Sequence, residues 1–173
     1  MFLMKNMINS KTGTKIKLTR KQIEKLKALM VNSARKGNLA NSGVVFENNK
    51  PIAWAESWVV SKTDATAHSE RMLVERVCKK KKTNWTQGLT MISVVEPCLM
   101  CLSACSQAGY AEIAYIIPGK KYVDKIPWTT DTLINKKKVA SKMSSKIKYT
   151  HLKDLEKEFS LVFENEMSPK FIK

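Results

Sequence analysis

At 173 residues, 43% hydrophobic and 8% aromatic, the chain has room for one packed domain and is short for two, and its composition excludes wholesale disorder. Its longest apolar runs, such as Met91–Val95 and Ala114–Ile117, fall far below the ~20 residues of a membrane span. The opening MFLMKNMINS has neither the apolar length nor the small-residue cleavage site of a secretory signal. The expectation is a cytoplasmic protein without a membrane partner, in which clustered cysteines point to metal or catalysis before disulfides.

The net charge of +16 invites a nucleic-acid partner. Arginine, the residue whose planar fork pairs with phosphates and bases, occurs only at Arg20, Arg35, Arg71 and Arg76, so 27 of the 31 basic residues are lysine. Such an excess equally describes a solvated surface set by composition. The candidate phosphate-binding patches are KKKK (Lys79–Lys82) and KKK (Lys136–Lys138).

In chain order, Leu18–Gly37 reads as a helix capped by Thr19, with Ile23, Leu26, Leu29 and Met30 as its apolar stripe and Gly37 as its stop. Gly43–Val60 reads as a hairpin turning at Asn48-Asn49. Asp64–Lys80 is predicted helical, capped by Asp64 or Thr66. Leu89–Val95 is an apolar run of strand length, suited to the middle of a sheet. Pro97–Gly109 reads as a helix with Pro97 near its first position and Gly109 at its end, and Ala111–Ile117 as another buried strand. Strand, helix and strand in this succession form a βαβ unit. Beyond a loop holding Trp128, Asp131–Met143 looks helical, Lys146–Leu152 strand-like, and Asp154–Met167 helical with Leu155, Phe159, Val162 and Phe163 on one face. The alternation indicates a single α/β domain over 1–173, with its chemistry-bearing core at about 43–117 and a C-terminal extension at about 131–167.

The chemistry concentrates in EPCLMCLSAC (Glu96–Cys105). Residues i and i+3 of a helix lie about 300° apart, so Cys98 and Cys101 share a face in the first turn. Free N–H groups and the positive end of the helix dipole favour thiolates there. Cys105 lies two turns in and reads as a buried hydrophobe, as does Cys78. Two thiolates do not complete a zinc tetrahedron, and no second CxxC or HxxxH exists. Of the two histidines, His68 opens a predicted helix in HSE (His68–Glu70). One His and two Cys leave a fourth position open, as a catalytic site does, and Glu70 becomes the natural proton carrier. Residues two apart on an ideal helix diverge by about 200°. His68 and Glu70 can therefore converge only if His68 sits at the helix entrance, where the chain is still turning.

H-x-E followed by P-C-x-x-C is the pattern of the zinc deaminases of nucleobases. DATAHSE (Asp64–Glu70) resembles the D-P-T-A-H-A-E stretch of tRNA-specific adenosine deaminases and guanine deaminases, and VVEPCLMC (Val94–Cys101) resembles their L-E-P-C-P-M-C. The likeness runs from about Gly43 to Ile117. It implies a three-layer α/β fold of the cytidine-deaminase type: a five-stranded mixed sheet, its last two strands parallel, with helices on both faces. It implies zinc on His68, Cys98 and Cys101, Glu70 as general acid and base, and a homodimer. Members of that branch usually carry an asparagine on the second hairpin strand that contacts base or ribose. A gapless alignment puts Ser57 there, flanked by Trp54 and Trp58. The glycine-rich segment that tRNA deaminases carry after the fourth strand is replaced by Gly119–Asp131, where Trp128 or Tyr122 is a candidate to cover the base.

Three functions follow as expectations. The first is hydrolytic deamination of a free nucleobase, nucleoside or nucleotide, with Glu70 catalytic and Ser57 and Trp128 binding substrate. The second is the same chemistry on a base in tRNA or other RNA, suggested by the charge. The third is a non-catalytic zinc-stabilised binding module, against which Glu70 beside an open ligand position argues.

Overall fold

The structure, a computed structural model, describes residues 17–126 and 133–171. Helix α1 (Arg20–Arg35) begins at a capping box: the Thr19 hydroxyl accepts from the Gln22 N–H, and the Gln22 side chain accepts from the Thr19 N–H. Strands β1 (Ser42–Glu47) and β2 (Lys50–Glu56) form the expected hairpin, with Asn48 and Asn49 at φ +48° and +63° in its turn.

The hairpin ends sooner than the sequence suggests. Trp58, Val59 and Val60 are not strand; Val59–Lys62 is a short helix, α2. The reason is Asn38, whose Oδ1 accepts the N–H groups of Val60 (2.8 Å) and Ser61 (3.2 Å) and draws the chain into a turn.

Helix α3 (Ser69–Lys81) is capped by His68 and not by Asp64 or Thr66. Asp64 instead closes a local turn on the Thr66 N–H (2.8 Å) and hydroxyl (2.7 Å). Strand β3 (Thr90–Val95) leads into α4 (Leu99–Gln107), whose N-cap is Cys98, so Pro97 precedes the cap instead of occupying the first turn. Strand β4 (Glu112–Ile117) is followed by α5 (Lys136–Lys142), β5 (Lys148–His151) and α6 (Lys153–Met167). Helix α5 begins later than expected, because the Asn135 side chain caps it by accepting the Lys138 N–H. The expected stops Gly37 and Gly109 lie just beyond α1 and α4 at φ +85° and +82°.

The five strands form one mixed sheet in the order β2-β1-β3-β4-β5, antiparallel as far as β3 and parallel from β3 to β5. Side chains alternate between two cores, as a period of two requires. Val44, Phe46, Ile92, Val94, Ala114 and Ile116 pack against α1 and α6. Val45, Met91, Ile113 and Tyr149 pack against α3, α4 and α5. The result is the three-layer α/β architecture read from the sequence. Cys105 is core, and Cys78 is half-buried beside the α3 core. Among the described residues no helix is long and apolar enough to cross a membrane.

Two further expectations change. Lys136 is only 3% exposed and pairs with Glu96 (Nζ–Oε1 3.8 Å), so of Lys136–Lys138 only Lys137 and Lys138 are exposed. Tyr122 is buried on the α1/α6 side, stacked between Phe163 and Phe171, with its hydroxyl donating to Glu164 Oε1 (2.6 Å). It is a core residue, not a cover for a base.

Candidate metal centre and active site

The N-termini of α3 and α4 meet at the end of β3, where the sheet changes from antiparallel to parallel pairing. His68 caps α3 in an extended conformation (φ −67°, ψ 151°), which meets the requirement that it sit where the chain is still turning. Cys98 caps α4 in the same manner and Cys101 follows in its first turn. Three donor atoms converge: Cys98 Sγ to Cys101 Sγ, Cys98 Sγ to His68 Nδ1, and Cys101 Sγ to His68 Nδ1 are each 3.6 Å. Tetrahedral zinc with bonds of about 2.3 Å to sulfur and 2.0–2.1 Å to nitrogen sets ligand atoms roughly 3.6–3.8 Å apart. The spacing fits zinc. His68, Cys98 and Cys101 are the one such cluster of potential ligands among the described residues.

The electrostatics favour a thiolate at Cys98. The hydrogen-bond contact with Cys101, and His68 alongside, draw the Cys98 pKa down to about 4, against the penalty of burial. The same bond and burial hold Cys101 well above its ordinary value. His68 is raised, chiefly by its bond to Cys98. A backbone bond to Ala65 also steadies the imidazole.

Glu70 stands one helical step behind this trio and outside it. It is 2% exposed. Its Oε2 lies 3.8 Å from Cys101 Sγ and accepts from the Ser69 hydroxyl (3.0 Å). Its Oε1 faces away, toward Ser93 Oγ (2.9 Å) and Asn41 Nδ2 (3.3 Å). The four side-chain donors, the Cys101 thiol included, are neutral, and no ion pair to Glu70 occurs among the described residues. A buried carboxylate without a cation is costly. A divalent ion on the neighbouring trio supplies the missing charge, an independent sign that the residues fit the metal.

Residues 18–117 match the model of the cytidine and deoxycytidylate deaminase zinc-binding region. The chain belongs to this family. Over 87 residues it is 24% identical to a tRNA-specific adenosine deaminase of Aquifex aeolicus, a match covering 50% of this chain and 58% of that relative's length. The fold superposes on a solved guanine deaminase of Nitrosomonas europaea with a TM-score of 0.75 at 14% identity, covering 89% of this chain and 87% of the other. It also superposes on the Thermotoga maritima diaminohydroxyphosphoribosylaminopyrimidine deaminase/5-amino-6-(5-phosphoribosylamino)uracil reductase with a TM-score of 0.52 at 19% identity, covering 85% of this chain and 42% of that one.

The deaminase fold thus brings His68, Glu70, Cys98 and Cys101 together as the sequence suggested. Ser57 lies just past the end of β2, buried, with its N–H donating to Asn41 O (3.1 Å) and its carbonyl accepting from the Ser33 hydroxyl (3.0 Å). Trp128 lies outside the described residues. Sequence reasoning missed Asn41, Ser69 and Ser93, the donors to Glu70. Ser93 did leave a signal, as the polar side chain in the middle of an otherwise buried strand. Ser69 and Asn41 left none, since a short polar residue in a loop or at a helix entrance is ordinary.

Proposed function

We propose that the protein is a zinc-dependent hydrolytic deaminase, carried by a single domain, that converts an exocyclic amine of a free nucleobase, nucleoside or nucleotide to a carbonyl and releases ammonia. The observation that carries this reading is Glu70: a buried carboxylate aimed at the His68–Cys98–Cys101 trio yet outside it. A purely structural zinc site has no use for such a group. When bound, zinc supplies the Lewis acidity that makes water a nucleophile near neutral pH. Glu70 takes a proton from the attacking water on Oε2, the oxygen facing the trio, and hands it to the departing amine. Such proton transfer typically contributes ~100- to 10,000-fold. Ser57 and Trp128 are the proposed substrate contacts, and a cytoplasmic homodimer completes the proposal.

The positions of the lysines favour a small substrate over RNA. Lys79–Lys82 lies at the far end of α3 from His68, about 20 Å away at 1.5 Å per residue. Lys79 and Lys81 are paired with Glu75 and Glu47, and Lys80 donates to Ile52 O. The test is ammonia release over a panel of bases, nucleosides, nucleotides and a tRNA pool, with Glu70→Ala as control. Turnover of a free base or nucleoside supports the proposal. Turnover of tRNA alone, with salt-steep binding, replaces the substrate class.

A further inference from the structure

We propose that Asn41 is the positioning residue that aims Glu70, an inference that rests on the role given to Glu70 above. Asn41 sits in the loop before β1, buried. Its Oδ1 accepts two backbone N–H groups, from Ser42 (2.9 Å) and from Val95 at the end of β3 (2.9 Å). Only an oxygen accepts twice, so the amide is fixed and Nδ2 must face Glu70 Oε1. The Asn41 carbonyl in turn accepts from Ser57 at the end of β2 (3.1 Å). One residue therefore ties the ends of β2 and β3 and the entry of β1 to the Glu70 carboxylate.

The last torsion of a glutamate is broad, so packing alone does not set the plane of the carboxylate. Ser93 does not settle it either. Its hydroxyl lies within reach of both Glu70 Oε1 (2.9 Å) and Val95 O (2.7 Å), and one hydrogen serves only one of them. The Asn41 N–H holds Oε1 whichever way Ser93 turns. With Oε1 held at the back, Oε2 stays toward Cys101 and the metal trio.

Asn41→Asp separates this role from mere scaffolding. It is nearly isosteric and keeps an oxygen for Ser42 and Val95, but it turns the donor facing Glu70 into an acceptor. The measurements are zinc content and thermal unfolding of Asn41→Asp, Glu70→Gln and the double variant. Kinetics follow on whichever of guanine, adenosine and cytidine the wild type turns over. The expected result is full zinc content with kcat lowered about a hundredfold and KM within about threefold. Asn41→Asp should lower the unfolding temperature by about 5 °C in the wild type and by less than half as much beside Glu70→Gln, where an amide again faces an acceptor. If Asn41→Asp folds only beside Glu70→Gln, the proposal also stands. Equal destabilisation in both backgrounds, unfolding in both, or unchanged kcat overturns it. Turnover that survives Glu70→Gln removes the role of Glu70 instead, while the unfolding cycle still reads the Asn41–Glu70 contact by itself.

Discussion

Glu70 and Glu96 lie at the same end of the sheet, and the chain treats their charges in opposite ways. Glu96 has a cation of its own: Lys136, buried at the start of α5, lies 3.8 Å from Oε1. The Gly119 N–H (2.8 Å) and the Tyr149 hydroxyl (3.4 Å) complete its shell. This set joins the β3–α4 connection to the segment after β4, to α5 and to β5, and nothing in it points at the metal trio. Among the described residues, Glu70 has only the neutral donors Asn41, Ser69, Ser93 and Cys101. A compensated carboxylate is architecture. An uncompensated one beside three metal ligands is held ready for a charge that arrives with the metal.

Removing the metal should break the contrast most severely. Chelation, or His68→Ala or Cys98→Ala, leaves Glu70 without a cation and takes away ligand binding that favours the folded state. Zinc content falls to background, and the unfolding temperature drops by about 10 °C, measured by calorimetry with and without chelator.

The Glu96 side responds to charge in a different manner. Lys136→Met strands the Glu96 carboxylate and costs about 2 kcal/mol, read from denaturant midpoints, with zinc fully retained. Adding Glu96→Gln recovers part of that loss. If Lys136→Met instead empties the metal site, the two carboxylates are not independent and the contrast fails.

A steric change sharpens the comparison without touching charge. A Cβ at Gly43 would meet Ile92 O and Leu73 Cδ1, both at 2.9 Å, beneath the turn of α3 that carries Glu70. Gly43→Ala is expected to destabilise by about 1–3 kcal/mol in chemical denaturation and to leave zinc content intact.

The smallest effect belongs to a carboxylate near the surface. Glu158 is held below its usual 4.5, first by its bond to Lys27 and then by Arg20. A depressed pKa contributes stability that is present above the unfolded value and lost as pH falls through the folded one. Unfolding temperatures should therefore decline below about pH 4.5, and Glu158→Gln should remove a small part of that slope.

What the sequence disclosed follows the range of the forces involved. Period-two and helical patterns in Val44–Phe46, Met91–Val94 and Ile23–Met30 report burial directly, so the layers could be read. The ligands could be read because His68, Cys98 and Cys101 are chemically rare at such spacing. Asn41 meets Glu70 across 29 residues and Lys136 meets Glu96 across 40, and no local pattern encodes either meeting. The short helix α2 escaped for the same reason, since Asn38, whose side chain holds its first N–H groups, lies more than twenty residues upstream.

Ammonia release by Glu70→Ala, with zinc content measured on the same preparation, tests the central claim most directly. Full zinc occupancy is expected, with a rate lowered at least about a hundredfold on every substrate the wild type accepts. A zinc-replete Glu70→Ala protein that still releases ammonia at the wild-type rate would contradict that claim.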